Sequence, residues 1–168
     1  YFGTGTQKIQ EEFERIFGKG LVVRMDADST AERGAHGRII QDFARGHYKV
    51  MLGTQMVAKG LDFPNVTLVA VLSADTMINL PDFRSGERSF QIISQVSGRA
   101  GRGEKEGKVI IQTYTPEHYA VVLGSRQNYR EFYDEEILIR RVMDLPPFMK
   151  LAILRLHGLK KDDVRQEA

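Results

Sequence analysis

An α/β fold, a mostly parallel sheet with helices on both faces, is what this sequence predicts, and three observations carry the prediction. Segments of amphipathic helical spacing alternate with short apolar strands. The run Val66 to Leu72 is almost continuously apolar, which suits a strand covered on both faces. Two glycine-bearing loops, 53–63 and 98–103, fall at or beside strand ends, and parallel sheets of this kind gather ligands at the carboxyl ends of their strands.

Taken in order, Tyr1 to Thr6 reads as a strand exit and a helix entry. The helix that follows carries Ile9, Phe13, Ile16 and Phe17 on one face and stops at Gly18. Leu21 to Met25 is a short buried strand. Asp28-Ser29-Thr30 supplies turn and cap chemistry for a second helix, whose Ile39, Ile40 and Phe43 face inward and which runs to Gly46. Val50 to Leu52 is a strand, followed by a long loop to Pro64 and the Val66 to Leu72 strand. Asp82 is placed to cap a helix with Phe90, Ile93 and Val96 inward, and Val109 to Ile111 forms one more strand. After Pro116 the pattern turns helical. Gln127 to Met143 repeats Tyr129, Phe132, Tyr133 and Ile137 at helical spacing as packing residues, with Glu136 and Arg140 paired on the solvated face. The tandem Pro146-Pro147 marks a boundary, and Lys150 to His157 alternates as a strand. Three segments result: 1–115, a helical extension over 116–145, and 146–168, the start of a further α+β domain.

With 168 residues and 42% hydrophobic content, the chain can bury a real core. Cysteine is absent and the four histidines lack ligand spacing, so no metal bound by protein side chains is expected. No apolar run approaches the roughly 20 residues of a membrane span, and the start carries no signal-peptide pattern, so the expectation is a cytoplasmic protein without a membrane partner. Net charge is only +2, so contact with nucleic acid must come from local placement, and 84–108 holds six basic residues against three acidic ones.

The most informative stretch is Gln95-Val96-Ser97-Gly98-Arg99-Ala100-Gly101-Arg102-Gly103. It sets two arginines three positions apart, each after a glycine, at the end of a helix. Guanidinium forks match phosphate oxygens and small neighbours allow close approach, the chemistry of an arginine finger. Gly-Arg pairs also occur in plain solvated basic loops. The upstream loop Gly53-Thr54-Gln55-Met56-Val57-Ala58-Lys59-Gly60-Leu61-Asp62-Phe63 supports the finger by adding a second loop to the same edge. Yet the chain holds no G-x-x-x-x-G-K-[ST] phosphate loop, and Asp134-Glu135 lies inside an amphipathic helix, where it cannot hold magnesium at a strand end. Cations without a phosphate cradle imply half of a site, closed by a second lobe.

These residues resemble a family. Gly53 to Met56 with Lys59-Gly60 and Asp62-Phe63-Pro64 is similar to motif V of superfamily 2 helicases, and Gln95 to Arg102 to motif VI. Together with Gly3-Thr4-Gly5-Thr6, Arg24-Met25-Asp26, Leu80 to Arg84, Gln112-Thr113-Tyr114 and Pro146-Pro147-Phe148, the chain resembles the bacterial replication-restart DNA helicases over nearly its whole length. The resemblance implies a RecA-like second helicase lobe of a 3′ to 5′ enzyme driven by ATP and Mg2+. It would act on forked or single-stranded DNA, with the first helicase lobe of the same protein and other primosome proteins as partners. Zinc is expected in a cysteine-rich region of such proteins and not in this stretch.

The roles follow from the same likeness. Arg102 is the finger at the γ-phosphate; Arg99 makes a second phosphate contact or ties the finger to the other lobe; Gln95 senses the nucleotide. Gly60 and Asp62 face the nucleotide edge, although Asp62 also reads as a turn-forming carboxylate. Thr54 and Gln55 hold a strand phosphate, Lys59 touches one, and Thr4 and Thr6 offer hydroxyls at a helix start that also reads as a plain cap. Two other readings stay open: a binding module whose arginines only neutralise phosphate, and a lobe of a branch-migrating or RNA-directed helicase of the same superfamily.

Overall fold

The computed structural model describes residues 5–26, 29–30, 34–54, 63–98 and 107–152. The elements in order are α1 (Thr6–Phe17), β1 (Val22–Met25), α2 (Ala35–Ala44), β2 (Val50–Gly53), β3 (Leu68–Val71), α3 (Asp75–Ile78), α4 (Ser85–Ser97), β4 (Lys108–Ile111), α5 (Tyr119–Ser125) and α6 (Tyr129–Val142). The chain divides into two compact units, 1–132 and 133–168, with the division inside α6.

The alternation of helix and strand is as the sequence predicts, and among the described residues both strand pairings are parallel. β1 pairs with β2 in the register Val22↔Val50 to Met25↔Gly53, and β3 pairs with β4 from Leu68↔Lys108 to Val71↔Ile111. Among the described residues these are two separate two-stranded sheets. The expectation that Val66 to Leu72 is covered on both faces is corrected. α4 packs on β3, Val69 and Val71 are half-buried, and Leu68 and Ile110 remain 54% and 55% exposed on the opposite face.

Helix ends follow local chemistry. α1 stops at Gly18, and α2 ends where Gly46, at φ 81°, donates to the Phe43 carbonyl while His47 N–H reaches the Asp42 carbonyl, a left-handed cap that a side chain would strain. Two expected caps are not found. Ser29 and Thr30 fold back onto Asp26, and Gly34 occupies the N-cap of α2. Asp82 sits three residues before α4, accepting the Arg84 N–H at 2.9 Å and pairing with Arg88 at 2.9 Å, while Arg84 is the N-cap. A carboxylate that turns the chain locally has no oxygen oriented for the helix start. The amphipathic face of α1 is present but only partly covered: no residue of the helix is buried, and Ile16 is 70% exposed.

The best-packed region joins α4 to α5. Phe90, Ile93 and Val96 of α4 are buried as the spacing predicts. The Ser89 hydroxyl, fully buried, donates to the Ser85 carbonyl at 2.7 Å and so carries no unmet hydrogen bond. Gly124 of α5 lies so near α4 that a Cβ there would stand 2.9 Å from Ile93 Cγ2 and 3.3 Å from the Phe90 carbonyl oxygen. Phe132 stacks on Phe90 with centroids 4.0 Å apart and lies 5.7 Å from the Tyr119 ring. Of the aromatics expected to pack along α6, Tyr129 and Tyr133 are instead 65% and 46% exposed.

In the second unit the Glu136–Arg140 pair forms, with Nε donating to Oε1 at 2.7 Å, but the side chains are only 10% and 13% exposed. The predicted solvated face is thus a buried one, and the guanidinium also reaches the Pro146 carbonyl at 3.4 Å. Ahead of Pro146-Pro147, the chain leaves α6 through Asp144 at φ 51°, where Leu145 N–H meets the Arg140 carbonyl. Of the expected Lys150 to His157 strand, Lys150 to Ala152 are not in a strand and the rest lies outside the described residues. Truncating Phe132 to Ala should destabilise the first unit by about 3–5 kcal/mol, the usual cost of emptying a buried phenylalanine site. Urea unfolding should show a lowered midpoint at unchanged slope.

Candidate functional site

The parallel registers bring the carboxyl ends of β1 and β2 together, and Asp26 and Thr54 are the next residues after the paired Met25 and Gly53. Asp26 is buried and gathers the surrounding chain. Its Oδ2 accepts the Thr6 hydroxyl at 2.6 Å, its Oδ1 accepts the Ser29 N–H at 2.9 Å, and its own N–H donates to Ser29 Oγ at 2.9 Å. Arg24 Nε lies 2.9 Å from Oδ2 but is not aligned for a hydrogen bond, so the contact is a charge pair alone. Burial works against the charged form of Asp26, yet the bonds from Thr6 and Ser29 and the Arg24 charge prevail and hold its carboxyl below the usual carboxylate range. The first turn of α1 is thereby fastened to the end of β1. Thr54 is exposed at this edge.

The second sheet repeats the device. Asp75, at the start of α3 after β3, is buried and accepts from Thr113 Oγ1 at 3.0 Å and from the Tyr114 N–H at 3.1 Å, both residues lying just past β4. Burial again opposes its charge, and the Thr113 and Tyr114 bonds overcome it, so its pKa is lowered. Asp75 therefore clamps the exits of β3 and β4. Composition gave no hint of Asp26 as a hub, although an aspartate three residues before Ser29 is a readable Asx-type turn.

At the end of α4, Gln95 is half-buried and lies two residues from Ile93, about 200° around the helix from the core. Gly98 closes the helix, its N–H reaching the Ser94 carbonyl at 3.2 Å. The Gln127 side chain donates to that same carbonyl at 3.0 Å. Of the anticipated site residues, Thr6, Thr54 and Gln95 are thus placed, and Thr6 is joined to Asp26. Its hydroxyl proton is spent on that carboxylate. Thr4, Gln55, Lys59, Gly60, Asp62, Arg99 and Arg102 lie outside the described residues.

Among the described residues no group of three or more His, Asp or Glu side chains is close enough to hold a metal ion, and no helix is long and apolar enough to cross a membrane. An open depression of about 460 Å³ lies between α1, β1 and α2, lined by Gln7, Gln10, Arg24 and Tyr48 among others. None of the anticipated site residues lines it.

The family described as the helicase conserved C-terminal domain matches residues 2–104. Over 154 residues the chain is 53% identical to the replication restart protein PriA of Bacillus subtilis, covering 92% of this chain and 19% of that protein. It is 44% identical to the protein of the same name from Synechocystis over 166 residues, 99% of this chain and 20% of the relative. The Haemophilus influenzae protein of that name is 38% identical over 160 residues, 95% and 22% of the two chains. The chain spans about a fifth of the length of the curated relatives it matches.

The two clamping carboxylates set a pH dependence. Because folding lowers their pKa, the stability they add is present above the ordinary value of 3.8 and is lost as pH falls through the folded value. Asp26→Asn and Asp75→Asn should each unfold at lower urea than the parent at pH 7. The gap should close in titrations carried below pH 3.8.

Proposed function

Since the chain belongs to the helicase conserved C-terminal domain family, we propose that it is the second motor lobe of an ATP-dependent 3′ to 5′ DNA helicase that acts at stalled replication forks in replication restart. The observation that most supports this reading is the end of α4: the helix closes at Gly98, directly before Arg99 and Arg102, with Gln95 off its buried face. An anchored helix whose sequence runs on into two arginines suits a lobe that brings fixed positive charge to a nucleotide held by another lobe.

In this reading residues 1–115 form the lobe, 116–145 a helical extension and 146–168 the opening of a further domain. Bound ATP and Mg2+ supply the reactive phosphoryl group and its charge neutralisation, held chiefly by the first lobe. The described carboxylates Asp26 and Asp75 fit no metal role, because both are engaged in hydrogen bonds that fix the strand ends. This chain's part is cationic. Arg102 meets the γ-phosphate oxygens as charge develops, Arg99 binds a second phosphate oxygen or braces Arg102, and Gln95 faces the nucleotide with Gly60 and Asp62. Thr54, Gln55, Lys59 and Thr4 meet the DNA backbone. Thr6 contributes through the start of α1, since its hydroxyl proton belongs to Asp26.

Separation of the lobes leaves the nucleotide without its finger, so the chain is inactive alone and turnover is coupled to closure. In the full-length protein, Arg102→Ala should lower DNA-stimulated ATP turnover by roughly 10³-fold, the scale of arginine fingers, with DNA affinity near that of the parent. Unchanged turnover accompanied by weaker, salt-sensitive DNA binding would instead mark the arginines as phosphate-binding groups only.

A further inference from the structure

The turn between α5 and α6 carries a residue that local backbone chemistry does not explain. Gln127 has φ 55°, and its N–H reaches the Gly124 carbonyl at 3.1 Å while Asn128 N–H reaches the Leu123 carbonyl at 2.9 Å. This is the left-handed closing position of a helix, where glycine or asparagine is the ordinary occupant. The side chain supplies the reason for glutamine. Its Nε2 crosses to α4 and donates to the Ser94 carbonyl at 3.0 Å, in the last turn before the arginine segment. Gly98 makes room for it. A Cβ on Gly98 would stand 2.5 Å from Gln127 Nε2, although φ −82° and ψ 0° there suit any residue. A side chain at position 98 would therefore displace the amide from this position.

We propose that Gln127 is a positioning residue for the motor reaction: its amide fixes the last turn of α4 and the direction in which the chain enters Arg99 to Arg102. The inference rests on the reading of those arginines given above. The contact ties the last turn of α4 to the turn after α5, whose Gly124 is pressed against Ile93, so α4 is braced at two places before the chain continues to Arg99. Positioning of this kind acts on the charge that develops during phosphoryl transfer more than on ground-state binding.

The test uses the full-length protein, with DNA-stimulated ATP hydrolysis measured over a range of ATP concentrations. Gln127→Glu keeps the shape and removes the donor; kcat should fall about tenfold with KM for ATP changed less than about twofold. Gln127→Lys restores a donor to the carbonyl and should recover most of the loss, which a space-filling role would not predict. If Gln127→Glu melts early, a double-mutant cycle reads the same contact: Gly98→Ala and Gln127→Ala should each lower kcat, and their combination should be no worse than either alone. Parental kcat in Gln127→Glu while Arg102→Ala is impaired would overturn the positioning role and leave the motor-lobe reading standing. So would losses that multiply in the double variant. Parental turnover in Arg102→Ala would remove both.

Discussion

The close approach of α5 to α4 is the constraint on which the placement of the end of α4 depends. A Cβ at Gly124 would stand 2.9 Å from Ile93 Cγ2 and 3.3 Å from the Phe90 carbonyl oxygen, so a side chain there would force a shift, and Ile93 is fully buried. Phe90, one turn earlier, is held under Phe132. A helix pinned at consecutive turns cannot rotate without opening the core, because close-packed interiors respond to displacement by losing contacts outright. Its last turn inherits that fixed bearing.

The sheet edges are held by a different force. Asp26 and Asp75 are carboxylates taken largely out of water, each kept charged by donors from a segment distant in sequence. Such a group left without its donors would be costly, so the two clamps oblige α1 to sit at the end of β1 and the β4 exit to sit beside α3.

Much of this was legible in the sequence, and the failures have physical causes. Strand and helix spacing revealed the alternation, the inward set Phe90, Ile93 and Val96, and the glycine stops of α1 and α2, because those signals are local. The roles of Asp26, Asp75 and Gln127 were hidden, because each depends on partners 20 to 40 positions away. Local pattern also misread solvation. Glu136 and Arg140 have the spacing of a surface pair, and helical spacing cannot report that the face is buried. Val66 to Leu72 reads as doubly covered from its apolarity, yet Leu68 and Ala70 face outward in a two-stranded sheet. Thr6 has the hydroxyl a phosphate site wants, but it donates to the Asp26 carboxylate at 2.6 Å.

Charge along α4 adds a last step. Asp82 stands before the amino end and engages Arg84 and Arg88, while Arg99 and Arg102 follow the carboxyl end. The helix dipole favours negative charge at the first place and positive charge at the second. Of the basic residues between 84 and 108, the two near the amino end are thus answered by a carboxylate whose pKa is lowered by the Arg84 N–H and guanidinium. In a chain of net charge only +2, the placement of carboxylates beside particular arginines, and not the total charge, decides where basic residues act.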